Sequence, residues 1–360
     1  MTNLTIIYLQ ANCLTELPES IQYLVNLKIL DVSCNDLLNV PSTIGHLKKL
    51  TKLVLTQNRI ATLSDSIGQL TSLESLQLNF NNLQSLPYSL RNCTMLRELC
   101  IDRNNFRTLP NFLTRLPNLE VLSACGNQLI YLPLVPFAAI KRFYFDTNTG
   151  LSYLPYPLAC QMNETSLNPF ATESVLHIDC YGCFQNFQSD SNIYTNHVSV
   201  KNEGNDWSIH LPPCLLLSTS HVMPSLAELV LRSLVWRQFG KSVVKCGNSL
   251  QSVHIFRIEK WYGEHYDDWL ETLHEKLPST VIEFLRQGPT AFCFDCMKPI
   301  FNRTYPLFIP KMMMQSQSSQ QRILCCLLFC SPICFQTYRR AADTWETLLL
   351  DTQLENWNTF

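Results

Sequence analysis

Asparagine recurs at Asn12, Asn35, Asn58, Asn81, Asn104 and Asn127 in steps of 23 residues, and returns at Asn148 after a step of 21. No other feature restricts the fold so tightly, since a fixed period means one local conformation repeated and stacked. Ahead of each Asn the apolar residues follow L-x-x-L-x-L-x-x-N, as in Leu27, Leu30 and Val32 before Asn35, or Leu73, Leu76 and Leu78 before Asn81. Behind it comes x-L-x-x-L-P, as in Leu14, Leu17 and Pro18. The alternation predicts a short strand whose inward face one unit cannot bury alone, so neighbouring units must stack. Each Asn falls where the chain leaves the strand. There its amide can satisfy backbone groups that the turn leaves unpaired, and a stack of such Asn makes a ladder. Farther on, Ile21 with Leu24, Ile44 with Leu47 and Ile67 with Leu70 suit a short helical turn on the opposite side.

This pattern resembles the leucine-rich repeat, in the 23-residue form common in intracellular proteins. The resemblance implies an α/β solenoid over residues 1–155, with seven units, a curved parallel sheet and short convex helical turns. The repeated Leu, Asn and Pro are then scaffold, and no chemistry is expected of them. Residues interleaved with the Leu positions face outward from the strands. They give one concave row of Tyr8, Asp31, Val54, Gln77, Cys100, Ser123 and Tyr144, flanked by Lys52, Phe80, Glu98, Asp102, Arg103, Arg142 and Asp146. This face contains no Ser-His-Asp set or carboxylate pair. It is expected to bind a protein partner, with Phe80 and Tyr144 as aromatic anchors; the alternative is an ordinary solvated sheet face.

Composition narrows the remaining classes. A formal net charge of −2 over 360 residues gives no bulk basic field, so neither nucleic acid nor an acidic membrane is expected as partner. None of the ten glycines stands in a G-x-G-x-x-G or G-x-x-x-x-G-K context, which argues against nucleotide binding, and with no nucleophile or base in evidence an enzyme is not expected. The opening MTNLTIIYLQ lies inside the first repeat and has no basic n-region or cleavage site. That start predicts a missing or degenerate N-terminal cap. Sixteen cysteines include Cys13, Cys34, Cys93, Cys100, Cys125 and Cys160, scattered at positions otherwise held by small or apolar residues. With no disulfide-rich cap before Leu4, a reduced, intracellular and cytoplasmic setting is expected. The sequons at Asn3, Asn92, Asn163 and Asn302 are then chance matches.

The period stops after Pro155. Residues 156–222 read as an array cap and loop-rich connection, and contain Cys180-Tyr-Gly-Cys183. That spacing is half of a metal site, or two unrelated capping cysteines. Residues 223–285 change to helical periodicity, with a stripe at Leu226, Leu229, Val230, Leu231 and Leu234. A second helix is expected over Asp267 to Leu277, ending at Pro278. Such a pair is what any small helical domain supplies. It also resembles a SOCS box, whose elongin-binding helix reads S-L-x-x-x-C-x-x-x-Φ and whose cullin-contacting segment reads L-P-x-x-Φ-x-x-(Y/F)-L. Ser225, Leu226, Val230 and Leu234 take the first pattern, with Val230 in place of the usual Cys. Leu277, Pro278, Val281, Phe284 and Leu285 take the second, across an insertion at residues 237–266. The resemblance implies elongin B/C and cullin-5 as partners.

The sharpest chemistry lies in residues 286–340. Cys293-Phe-Asp-Cys296 is followed after 33 residues by Cys330-Ser-Pro-Ile-Cys334. Two close thiol pairs brought together suit a structural, tetrahedral Zn²⁺, while a metal-free buried cysteine cluster is the alternative. Cys325 and Cys326 compete for the second pair. The stretch from Phe329 to Tyr338 resembles the knuckle of treble-clef fingers, in which the last ligand pair opens a helix. Ile323 to Phe335 is apolar over 13 residues. A membrane span needs about 20, and Pro332 interrupts this run. Residues 341–360 form a tail. The order of repeats, helical boxes and cysteine pairs resembles the small group of leucine-rich repeat-containing proteins 28 and 58. For one member this implies a substrate receptor of a cullin-5 ubiquitin ligase, an implication that reaches this chain only through the two boxes.

Overall fold

The computed structural model describes residues 3–135, 137–155, 158, 196–202, 205–211, 216–217, 226–239, 264–273, 276–294, 296, 298–301, 303–315 and 319–341. These fall into two compact units: the first runs to Ile130 and from Phe137 to Thr149, and the second takes the remainder.

The first unit carries seven strands: β1 (Ile6–Tyr8), β2 (Ile29–Asp31), β3 (Lys52–Val54), β4 (Ser75–Gln77), β5 (Glu98–Cys100), β6 (Val121–Ser123) and β7 (Arg142–Tyr144). They form one parallel sheet in chain order. The middle residue of each strand from β2 onward, Leu30, Leu53, Leu76, Leu99, Leu122 and Phe143, is fully buried. This is the inward face that the alternation predicts. Five 3₁₀ turns, Glu19–Tyr23, Ser42–His46, Asp65–Gln69, Tyr88–Asn92 and Asn111–Arg115, follow β1 to β5. Pro18, Pro41, Pro87 and Pro110 precede four of them in extended backbone, which a proline ring favours. Ser64 replaces proline in the third, and its hydroxyl accepts from Ser66 N at 3.3 Å. The Ile–Leu pairs of the sequence close these turns, as Leu24 N donates to Ile21 O and Leu47 N to Ile44 O, both at 3.0 Å. Adjacent turns approach so closely that a Cβ on Gly45 would lie 2.7 Å from Ser66 O, and one on Gly68 2.2 Å from Ser89 O.

The asparagine ladder is explicit. Asn58 Nδ2 donates to Leu55 O of its own unit at 3.1 Å and to Val32 O of the preceding unit at 3.0 Å. Its Oδ1 accepts from Leu37 N, also of the preceding unit, at 3.0 Å. Asn35, Asn81, Asn104, Asn127 and Asn148 are buried and follow the same pattern. Asn12, by contrast, is exposed and donates to Gln10 O. The short step costs the ladder nothing: Asn148 reaches back to Ala124 O at 2.9 Å. The two missing residues come out of the segment between Asn127 and β7, where no 3₁₀ turn forms among the described residues. Immediately before each Asn stands a left-handed residue: Ala11, Cys34, Gln57, Phe80, Arg103, Gly126 and Thr147, with φ between 50° and 65°.

The second unit contains β8 (Leu154–Pro155), β9 (Asn196–Asn202), β10 (Asn205–Leu211), β11 (Leu216–Leu217), α1 (Leu226–Phe239), α2 (Glu264–Leu273), α3 (Ser279–Gln287), β12 (Ala291–Phe292), β13 (Pro299–Ile300), β14 (Arg303–Gln315), β15 (Ser319–Phe329) and α4 (Pro332–Ala341). Its largest sheet has the order β11-β14-β15-β8. Leu231 and Val235 of α1, Leu270 of α2, Leu285 of α3, and Phe292 and Phe301 near the short strands share one apolar core.

Three differences from the sequence expectations stand out. The segment expected to be loop-rich holds the antiparallel β9–β10 hairpin, because His197-Val-Ser-Val and Asp206-Trp-Ser-Ile alternate at the strand period beneath a polar composition. The helix expected from Asp267 runs instead over Glu264–Leu273, so it starts inside the supposed insertion. The gap between the cysteine pairs is not a loop: β14 and β15 pair antiparallel from Tyr305↔Phe329 to Gln315↔Ser319.

Candidate functional site

The sheet register places Tyr8, Asp31, Val54, Gln77, Cys100, Ser123 and Tyr144 directly beside one another across the seven strands. Tyr8 is 62% exposed, whereas Val54 at 7% is buried within the row. Gln77 and Tyr144 are half-buried, and Arg142 is exposed. Phe80 is exposed beside the row, and the Arg103 guanidinium lies over its ring at 5.4 Å. Both occupy the left-handed position of their units, so the same turn recurring 23 residues apart sets cation on ring.

The acidic members are less free than their exposure in sequence suggests. Asp102 Oδ1 accepts from Ser123 Oγ at 2.6 Å and from Cys125 N at 2.7 Å. Asp31 Oδ1 accepts from Ser33 N at 3.0 Å and Ser33 Oγ at 2.6 Å. Each carboxylate thus fastens the turn after a strand. Cys100 and Cys125 are held protonated, each pushed up to about 12, first by burial and then by neighbouring carboxylates, Asp102 beside both. Thiols in that state are poor nucleophiles, so the face is suited to contact rather than to reaction.

In the second unit, Cys293, Cys296, Cys330 and Cys334 converge, with all four sulfurs within 4.8 Å of one another. The first pair sits in the β12–β13 hairpin, whose turn Cys293 N closes on Lys298 O at 2.9 Å. The second pair straddles the start of α4. Ser331 caps that helix, its Oγ accepting from Cys334 N at 3.3 Å, with Pro332 in the first helical position. Phe294 N donates to Leu328 O at 2.8 Å, joining the hairpin turn to the end of β15. Cys296 and Cys330 sulfurs lie 3.4 Å apart, and those of Cys330 and Cys334 3.8 Å. A tetrahedron with metal–sulfur arms of about 2.3 Å has its sulfurs about 3.8 Å apart, so the donor set and its spacing fit Zn²⁺. Hydrogen bonding from the Cys293 thiol draws Cys296 far down, and the same interaction pushes Cys293 far up; Cys334 is brought down to about 6, first by Cys293. Rings enclose the group: Phe294 meets Tyr338 at 5.3 Å, and Phe329 meets Phe335 at 5.5 Å, both edge-on.

The rival ligand Cys326 is buried in β15, paired with Pro155 of β8, and takes no part in the cluster. The side chain of Cys325 is outside the described residues, as are Cys180 and Cys183. Along α1, Leu231 and Val235 are buried, Leu234 is half-buried, and Leu229 and Val230 are 40% and 42% exposed. Leu277 and Val281 pack against the core with buried Leu285, while Pro278 is exposed. The side chains of Leu226 and Phe284 are outside the described residues. Sequence reasoning missed Arg232, which is buried and donates through Nη1 to Cys330 O at 3.0 Å. Its one signal is position, since 231, 232 and 235 share a helical face. No helix among the described residues is long and apolar enough to cross a membrane.

The model of the leucine-rich repeat region family matches residues 1–168. No curated protein matches the chain. Among solved structures it is similar to a leucine-rich repeat protein of Leptospira interrogans, at 23% identity over 41% of this chain and 47% of that one, with a TM-score of 0.33. It is also similar to the leucine-rich repeat ectodomain of the receptor kinase SOBIR1 from Arabidopsis thaliana, at 29% identity over 35% and 71% of the two chains, TM-score 0.32. A third is the leucine-rich repeat domain of the type III effector XopL, at 25% identity over 43% and 56%, TM-score 0.39. The chain spans about half the length, 47%, of the first of these. With a buried asparagine ladder, a seven-stranded parallel sheet and that family match, residues 1–168 are a leucine-rich repeat region, and such an array is a protein-binding scaffold.

Proposed function

We propose that the chain is a non-catalytic adaptor that holds one protein on its concave row and offers α1 to a second, as an elongin-binding helix does in a cullin-5 ubiquitin ligase. The observation that carries this reading is the division of α1: Leu231 and Val235 are spent on the core, while Leu229 and Val230 remain exposed. Two exposed aliphatic residues on adjacent positions give a partner an apolar foothold. The second box supports the reading less, because Leu277, Val281 and Leu285 pack inward. Zn²⁺, held by Cys293, Cys296, Cys330 and Cys334, is the structural cofactor in this proposal; it supplies closure of the fold and no reaction step. Thiolate ligation fits the reducing cytoplasm.

Capture of purified elongin B/C by the full chain tests this. Binding is expected for the wild type and its loss for Val230→Asp and Leu226→Ser, both judged folded by hydrogen exchange. Absence of capture, or capture indifferent to both substitutions, leaves a plain leucine-rich repeat scaffold with a structural zinc cap. Tyr144→Ala and Phe80→Ala belong to the other face and should leave elongin capture unchanged.

A further inference from the structure

Among the described residues Arg232 is the one charged side chain that is buried. Burial of a cation needs nearby negative charge as well as hydrogen bonds. The guanidinium reaches Cys330, donating to its carbonyl oxygen at 3.0 Å. From the other side of the same turn, Thr304 Oγ1 donates to Phe329 O at 3.2 Å. The turn that carries Cys330 is therefore pinned through two successive carbonyls, which leaves the thiol to point into the sulfur cluster.

Four thiolates around one divalent cation carry two negative charges in excess, and the enclosing rings of Phe294, Phe329, Phe335 and Tyr338 neutralise none of it. From this geometry we propose that Arg232 is the positioning residue and counter-charge of the metal–thiolate centre, and that through it metal capture and the seating of α1 are one event. The inference rests on the metal reading above. Its consequence is regulatory: the exposed Leu229 and Val230 face is held in a fixed orientation when the cluster is loaded, and is released when the metal is withdrawn. Outer-sphere groups of this kind typically change metal affinity by about 10–100-fold.

Two measurements on the full chain decide it. Zinc affinity, by competition with a chromophoric chelator, is expected to fall about tenfold or more in Arg232→Met and to recover in part in Arg232→Lys, which restores charge without the planar fork. Hydrogen exchange over residues 226–239 is expected to quicken when the wild type is stripped of zinc. It should be fast in Arg232→Met with or without the ion. Wild-type affinity in Arg232→Met overturns the proposal, as does exchange in 226–239 that ignores chelation; the latter needs no variant to fold. A wild type that binds no zinc fails earlier and separately, since metal analysis then removes the centre itself.

Discussion

At the scale of single residues, the array repeats a strained conformation in order to repeat a hydrogen-bonding one. Seven left-handed residues precede the seven asparagines, and only Gly126 is a glycine. A side chain in that conformation costs roughly 1–2 kcal/mol. The Asn that follows more than offsets this, since it satisfies backbone groups in two units at once. Gln57→Gly is therefore expected to raise the stability of the array by up to about 1 kcal/mol. Gly126→Ala should lower it by about as much or more, its Cβ lying 3.1 Å from Arg103 Cγ. Urea denaturation of both variants checks the sign, and two changes in the same direction would contradict this account of the turn. Asn81→Ala strands Ile60 N, Leu55 O and Leu78 O. At roughly 1–3 kcal/mol for each orphaned buried group, it should cost several kcal/mol. Asn12→Ala, at an exposed position, should cost far less; equal midpoints for the two would show that the ladder contributes nothing. The Asn spacing made the ladder legible in sequence. The left-handed positions were not, because Ala, Cys, Gln, Phe, Arg and Thr share no chemistry and the constraint lies on the backbone alone.

Between elements, the close contact of the 3₁₀ turns makes two glycines structural. Gly68→Ala should destabilise the array by about 1–3 kcal/mol, since its Cβ would lie 2.2 Å from Ser89 O and backbone cannot swing aside as a side chain can. Thermal unfolding of that variant beside an exposed control such as Ala61→Gly tests the contact, and an unchanged midpoint would mean the turns are looser than described. Element existence was readable wherever the period was short and repeated. It was hidden where tertiary pairing decides: β14 and β15 are long strands whose sequences include Pro306, Pro310 and a Gln-Ser run, none of which announces a hairpin. The same holds for β9 and β10, whose polar residues read as loop.

For the whole molecule, the metal reading makes a separable prediction. Protein prepared under reducing conditions should carry about one zinc per chain, and Cys330→Ser with Cys334→Ser should abolish it. Hydrogen exchange should then quicken across α3, α4 and β12 to β15 while β1 to β7 keep their protection. Absence of zinc, or loss of protection in the repeats alone, would place the folding energy elsewhere. The four ligands were readable because their spacing is chemical, whereas Arg232 was not, because a lone arginine on a helix ordinarily faces water. One further consequence follows from the direction of the asparagine bonds. Each amide reaches back to the unit before it and asks nothing of the unit ahead. Every junction is thus the same one-way joint, so a coding segment of 23 codons could be duplicated or deleted between Asn35 and Asn127 and the new neighbours would still find their partners. Insertions of other lengths are tolerated only where Asn148 shows slack, in the segment between Asn127 and β7. Length variation among descendants of such a gene should come in whole units, with fractional changes confined to that stretch.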